Sequence, residues 1–224
     1  MGNCVPFSVN KTLPHLFLCG PSGAGKTTLL YRLKIPDMNA KSLEDLGPSE
    51  GVHYEELTKK GFGKFGVWDV PGNAAARDLW NVFYRSIDMS AVIFMVRDAE
   101  GSLNGKDILE ARESLKVLLS ETELRDACFC ILVNMWDEKS NDKLNIASLS
   151  VRDKEEHEAF WWERLDIESR IDMELSEEAG KAMRQRVKIF LISAKDIDLE
   201  EQWKPPIEFI QEHVQRKQKA ELLN

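Results

Sequence analysis

The residues that most constrain this chain are Gly20-Pro21-Ser22-Gly23-Ala24-Gly25-Lys26-Thr27. They spell G-x-x-x-x-G-K-[ST], a loop that works only between the end of a strand and the start of a helix. Both neighbours are legible. Leu16-Phe17-Leu18-Cys19 is an apolar, strand-like run, and Thr28-Leu29-Leu30-Tyr31-Arg32-Leu33 has helical character. Glycines at these positions let successive backbone N–H groups curl around phosphate oxygens, and the helix N-terminus adds its dipole. Gly20, Ser22, Gly23, Ala24, Gly25, Lys26, Thr27 and Thr28 are therefore the expected phosphate-binding set. Lys26 is expected at the β- and γ-phosphates, and the Thr27 hydroxyl on Mg²⁺.

The bulk properties exclude several classes. With 224 residues, 43% of them hydrophobic, the chain suits one domain with an insertion. A net charge of −8 supplies no basic field, so no nucleic-acid partner is expected. No apolar run approaches the ~18–20 residues of a membrane span. Pro6 and Pro14 interrupt an N-terminus without an apolar core, which argues against a secretory signal. Four cysteines do not make a disulfide framework at this size, and a cytoplasmic, reduced setting fits. Cys128 and Cys130 alternate in an apolar run and should be buried thiols on one face of a strand.

Strand signals fall at 15–20, 52–58, 63–70, 91–96, 128–133 and 187–192. Helical periodicity falls at 26–34, 75–87, 105–120, about 153–186 and 206–222. Such alternation predicts an α/β domain with a mostly parallel sheet. The second and third strands are joined by Lys59-Lys60-Gly61-Phe62, too short for a crossover helix. They should form an antiparallel hairpin.

Four further motifs follow in order. Val67-Trp68-Asp69-Val70-Pro71-Gly72 ends a strand, so Asp69 can hold a Mg²⁺-bound water and the Gly72 N–H can meet a γ-phosphate. Asn134-Met135-Trp136-Asp137 is similar to N-K-x-D, whose Asp accepts two N–H bonds that guanine offers and adenine does not. Ser193-Ala194-Lys195 is similar to the S-A-K loop, whose Ala N–H meets guanine O6. Gly47-Pro48-Ser49-Glu50-Gly51 precedes the hairpin, where a hydroxyl, that of Ser49, must reach Mg²⁺. Each motif is weak alone; together, each after a predicted strand and in this order, they are a strong constellation.

In these motifs the chain resembles a small GTPase of the Arf/Arl type, across most of 15–137 and again at 187–222. Trp68-Asp69-Val70-Pro71-Gly72-Asn73, Arg77-Asp78-Leu79-Trp80 and Phe83-Tyr84 look like the family's W-D-x-G-G-Q…R-P-L-W…Y-Y segment. The resemblance implies a three-layer P-loop sandwich over 15–224. A mostly parallel six-stranded sheet, with one antiparallel hairpin, would carry helices on both faces. It also implies GTP/GDP and Mg²⁺ as ligands, with effectors, an exchange factor and a GTPase-activating protein as partners. Two switch regions are implied near 45–53 and 70–86, with the hairpin as a moving interswitch. Val52, Trp68 and Phe83 fall where the family displays an apolar effector surface; ordinary packing is the alternative for each.

The chain also departs from that pattern. The family's water-positioning Gln falls at Asn73, whose amide sits ~1.2–1.5 Å short, so slow intrinsic hydrolysis is expected. The alternative is that Asn73 is a turn residue. Pro71 replaces a Gly and removes an N–H. Met135 replaces the Lys whose stem covers the purine, and Ser49 replaces a Thr.

Between Asp137 and Ser193 lie 55 residues, more than the family usually has. The stretch 138–186 reads as a helical insertion. Phe160-Trp161-Trp162, Leu165, Ile167, Ile171, Met173 and Leu175 suit packing on the domain or a partner-binding face. Residues 1–14 form a separate N-terminal segment. Gly2 is a myristoylation candidate and Cys4 a palmitoylation candidate, which would make the protein peripheral on a membrane. Pro6 stands where that motif has Ser or Thr, and 2–14 lack an amphipathic helix. The functional expectation is a GTP-dependent switch in membrane traffic. A permanently GTP-loaded scaffold and a P-loop phosphotransferase are the alternatives.

Overall fold

The computed structural model describes residues 12–36, 38, 51–59, 63–98, 105–135, 146–174, 176–196 and 198–222. Six strands form one sheet: β1 (His15–Cys19), β2 (His53–Lys59), β3 (Gly63–Asp69), β4 (Met89–Asp98), β5 (Cys128–Met135) and β6 (Val187–Ile192). Their spatial order is β2-β3-β1-β4-β5-β6. Only the β2–β3 hairpin is antiparallel, as its short connection requires.

The helices are α1 (Lys26–Lys34), α2 (Ala74–Arg77), α3 (Trp80–Tyr84), α4 (Gly105–Ser120), α5 (Val151–Arg164), α6 (Ile167–Ile171), α7 (Glu177–Arg186) and α8 (Leu199–Glu221). Strand alternation divides them between two cores. Leu16 and Leu18 of β1 face α1 and α8, with Leu29, Leu30, Trp203 and Ile207. Phe17 and Cys19 face α3, α4 and the insertion helices, with Tyr84, Leu115, Trp161 and Ile171. The result is the expected three layers, with both faces of a central sheet covered. Cys128 and Cys130 do share one buried face, and burial pushes both thiols up in pKa, Cys128 to about 12.

Three helices differ from the sequence expectation. The 75–87 helix is two short pieces interrupted at Asp78-Leu79. Asn73 caps the first of them, its Oδ1 accepting from Ala76 N at 2.9 Å. The 153–186 helix is three segments. A Ser150–Asp153 capping box starts α5, and Asp166 breaks it in the left-handed region at φ 56°. The last helix begins at Leu199, not after Pro205-Pro206, so both prolines lie inside it. Burial of Leu199 and Trp203 extends that helix despite two lost backbone donors.

The insertion packs. Trp161, Leu165, Ile167, Ile171 and Met183 are all buried in the core on the α4 side of the sheet. Phe160 and Met173 are exposed, and Leu175 lies outside the described residues. Among the described residues, no helix is long and apolar enough to cross a membrane.

Candidate nucleotide site

The loop between β1 and α1 turns through three left-handed glycines, Gly20, Gly23 and Gly25, at φ 132°, 74° and 98°. Gly20 has a second reason to be glycine. A Cβ there would lie 2.1 Å from the Met95 carbonyl oxygen. Ser22 and Gly23 are exposed, Ala24 is buried, and Thr27 and Thr28 open α1 half-buried. Lys26 is buried and turns back over the loop, donating to the Gly20 and Pro21 carbonyls at 3.0 and 2.9 Å. Burial pulls its pKa down, against the Asp69 carboxylate, which holds it up.

Asp69, at the end of β3, is fully buried. Its Oδ2 accepts from the Thr27 hydroxyl at 2.7 Å, while Oδ1 has no protein partner. Burial raises the Asp69 pKa, and the Thr27 hydrogen bond and Lys26 oppose that rise. A buried carboxylate oxygen without a partner, beside a hydroxyl whose proton is already placed, is a hard oxygen donor set. It fits Mg²⁺, which takes oxygen ligands and neutralises such a charge. Among the described residues no cluster of three or more His, Cys, Asp or Glu offers another metal site.

At the other end of the cradle, Asn134 is buried and spans two loops. Its Nδ2 donates to the Ala24 carbonyl at 2.9 Å, and its Oδ1 accepts from Ala194 N at 3.0 Å. A Cβ at Gly25 would sit 2.5 Å from that Nδ2. Asn134 therefore fixes the spacing between the phosphate loop and Ser193-Ala194-Lys195. Gln202 holds the same loop by accepting from Ser193 N at 2.7 Å, and Arg32 of α1 donates to the Asp196 carbonyl at 2.7 Å. Neither contact was legible in the sequence, because nothing local links α1 or α8 to that loop. Lys195 is half-buried. Asp137, Ser49, Gly2 and Cys4 lie outside the described residues.

The segment after β3 seats on the phosphate loop. A Cβ at Gly72 would lie 2.2 Å from the Gly20 oxygen and 2.7 Å from Ser22 N. The Pro71 carbonyl accepts from Trp80 Nε1 at 2.9 Å, which turns the trans-planar Gly72 N–H to the opposite side. Asn73, expected to orient water, instead spends its carbonyl oxygen on the α2 cap. Trp68, expected on a displayed surface, is 4% exposed. Its ring packs 4.6 Å from Tyr54, and its Nε1 donates to His15 Nδ1 at 3.4 Å. Phe83 is half-buried and Val52 is exposed. Leu79 and Val82, not singled out from the sequence as surface residues, are 58% and 53% exposed.

The family model for the ADP-ribosylation factor family matches residues 6–161. The chain belongs to the ADP-ribosylation factor family. It is 37% identical to ADP-ribosylation factor-like protein 1 of Saccharomyces cerevisiae over 130 residues, 58% of this chain. The match spans 63% of the length of that relative. Two solved structures share the fold. The Arl6 BBS3 small GTPase from Trypanosoma brucei, with bound nucleotide analogue GppNp, aligns at TM-score 0.58 and 20% identity. That alignment covers 89% of this chain and 98% of the other. The mammalian SRP receptor aligns at TM-score 0.57 and 18% identity, covering 86% and 99% of the two chains. The fold of this ADP-ribosylation factor family member is thus the small-GTPase α/β fold.

Proposed function

We propose that the chain is a guanine-nucleotide-binding switch that takes GTP or GDP with Mg²⁺ between Gly20–Thr28 and Ser193–Lys195. The observation that carries this reading is Asn134, which ties the phosphate loop to the Ser193–Lys195 loop through one buried amide. Asp137 would then select guanine through its two N–H groups.

Thr27, Asp69 and Ser49 would hold Mg²⁺, Asp69 through water. The ion would draw off negative charge from the β- and γ-phosphates as the terminal bond breaks. Lys26 holds the phosphates by charge, and the Gly72 N–H answers a γ-phosphate. Pro71 and the engaged Asn73 amide support slow intrinsic hydrolysis, which would leave the GTP form long-lived unless a GTPase-activating protein acts. Val52 and Phe83, with Leu79 and Val82 beside Phe83, would meet protein effectors, and an exchange factor would reset the cycle. We place this switch in membrane traffic, in the cytoplasm, with peripheral membrane attachment through Gly2 and Cys4.

Displacement of a fluorescent GDP analogue from the purified protein by GDP or ADP tests the reading. GDP should compete at least ~100-fold better, the loss expected when a buried polar site goes unpaired. Equal competition by ADP overturns the guanine reading and reopens the phosphotransferase. A permanently loaded scaffold is the second reading, favoured by Asn73 being held as a helix cap. Bound GTP that persists for hours in the purified protein would establish it.

A further inference from the structure

A cavity of about 180 Å³ opens beside the phosphate loop, bordered by Ser22, Gly72, Asn73, Glu110 and Trp161. Three of these borders belong to the expected site, and two come from α4 and from the insertion. Trp161 closes the wall from the insertion, its Nε1 donating to Asp98 at 3.2 Å. Glu110 has a defined cationic partner. Its Oε2 pairs with Arg77 Nη1 at 3.0 Å, and the Arg77 side chain is 17% exposed.

Arg77 ends the helix that Asn73 caps, four residues along. That is about 6 Å of helix rise from the residue next to Gly72, within the span of an arginine side chain. Gly72 itself lies against Ser22 of the phosphate loop. So a guanidinium stands on the segment that seats on the phosphate loop, paired with a carboxylate of the cavity wall. Asn73, the other candidate on this segment, has committed its carbonyl oxygen to the cap.

We infer that Arg77 is a cis-acting arginine for GTP hydrolysis, withheld by its ion pair with Glu110. This rests on the GTP reading above. In the reaction, the oxygen of a water bonds to the γ-phosphorus. The bond from that phosphorus to the β–γ bridging oxygen breaks, and its electron pair leaves on GDP. One water proton stays on the released phosphate and the other passes to solvent. Charge grows on the bridging and γ-oxygens, which a planar guanidinium meets with two N–H donors. While Glu110 holds Arg77, that charge is met without a guanidinium, and turnover is slow. A partner that offers Glu110 another cation frees Arg77.

The test is single-turnover hydrolysis of GTP with Mg²⁺ in the full chain, with fluorescent-GTP affinity measured beside it. Glu110→Gln should raise the rate by ~10-fold or more, the scale of one preorganised donor. Adding Arg77→Ala should erase that gain, and adding Arg77→Lys should keep only part of it, since an ammonium lacks the fork. The GDP–aluminium fluoride complex should form with Glu110→Gln and not with Glu110→Gln/Arg77→Ala. A purely structural ion pair would not produce that pattern. If Glu110→Gln does not fold, Glu110→Asp, which draws the carboxylate back by one methylene, takes its place. An unchanged rate with GTP binding intact overturns the inference, as does a gain that survives without Arg77. Failure of the unaltered protein to bind GTP overturns the nucleotide reading as well, so the two failures are distinguishable.

Discussion

The two walls of the candidate site are built differently. On the phosphate and base side, Lys26 and Asn134 are fixed by buried partners. Lys26 closes on two loop carbonyls, and Asn134 spans Ala24 and Ala194. The Pro71–Tyr84 side is two helices of four and five residues, interrupted, with Leu79 and Val82 exposed. Its polar anchors include the Trp80 bond to Pro71, the Asn73 cap and the Arg77–Glu110 ion pair, while Trp80 and Tyr84 are buried in the core. The first wall is over-determined and suits binding. The second is held by a handful of bonds that a γ-phosphate or a partner can rearrange. A switch needs both kinds, because a ligand moves only an element whose two arrangements lie close in free energy.

The comparison breaks first at Asn134. Asn134→Ala leaves a buried carbonyl and a buried N–H without partners, which should cost about 2–6 kcal/mol of stability at one to three per group. Denaturant unfolding measures it, and nucleotide affinity should fall with it because the two loops lose their spacing. A loss under about 1 kcal/mol would mean the wall is not over-determined.

Asp69 sharpens the contrast through pH. Its pKa in the folded protein is raised, so the folded state binds more protons than the unfolded chain. Stability of the nucleotide-free protein should therefore fall as pH rises from the ordinary carboxylate range through that raised value. Asp69→Asn should flatten this dependence and raise the melting temperature of the nucleotide-free protein at neutral pH. The same substitution should remove the Mg²⁺ dependence of nucleotide release. A lower melting temperature, or an unchanged response to Mg²⁺, contradicts the reading of Asp69 as an unsatisfied metal-site carboxylate.

The smallest effect belongs to the looser wall. Asn73→Gln replaces a good cap with a poor one and should cost about 1 kcal/mol, read by thermal unfolding. It should also speed single-turnover GTP hydrolysis, because the longer side chain reaches water and is no longer held by Ala76 N. Equal rates would assign Asn73 to the turn and leave hydrolysis to Arg77 or a partner.

All six strands and the whole phosphate loop were legible, because strand alternation and the G-x-x-x-x-G-K-T spacing are local patterns. Short capped helices were not. The 75–87 stretch carries apolar residues at helical spacing, yet it breaks at Asp78-Leu79, with Trp80 and Tyr84 buried in the core. The sequence expectation began the insertion helix at about 153, and the Ser150–Asp153 capping box starts α5 at Val151. The entry of Pro205 and Pro206 into α8 was not legible, since buried Leu199 and Trp203 overrode the proline signal. The Trp68 indole sits in a strand that sequence could place, but only the packing of Tyr54 and His15 decided that it is covered.

By itself, then, the sequence determined what is set by neighbours along the chain: the strands, the glycine turns, Lys26 and Thr27 at a helix start, and Asp69 at a strand end. Tertiary structure alone decided what residues far apart do to one another. Asn134 became a strap between two loops, the insertion supplied a core tryptophan, and Arg77 was given to Glu110. The physical reason is that local geometry follows from backbone sterics and periodicity. The partner of a buried polar group follows from which groups are desolvated together, and that is known only once the chain has closed around them.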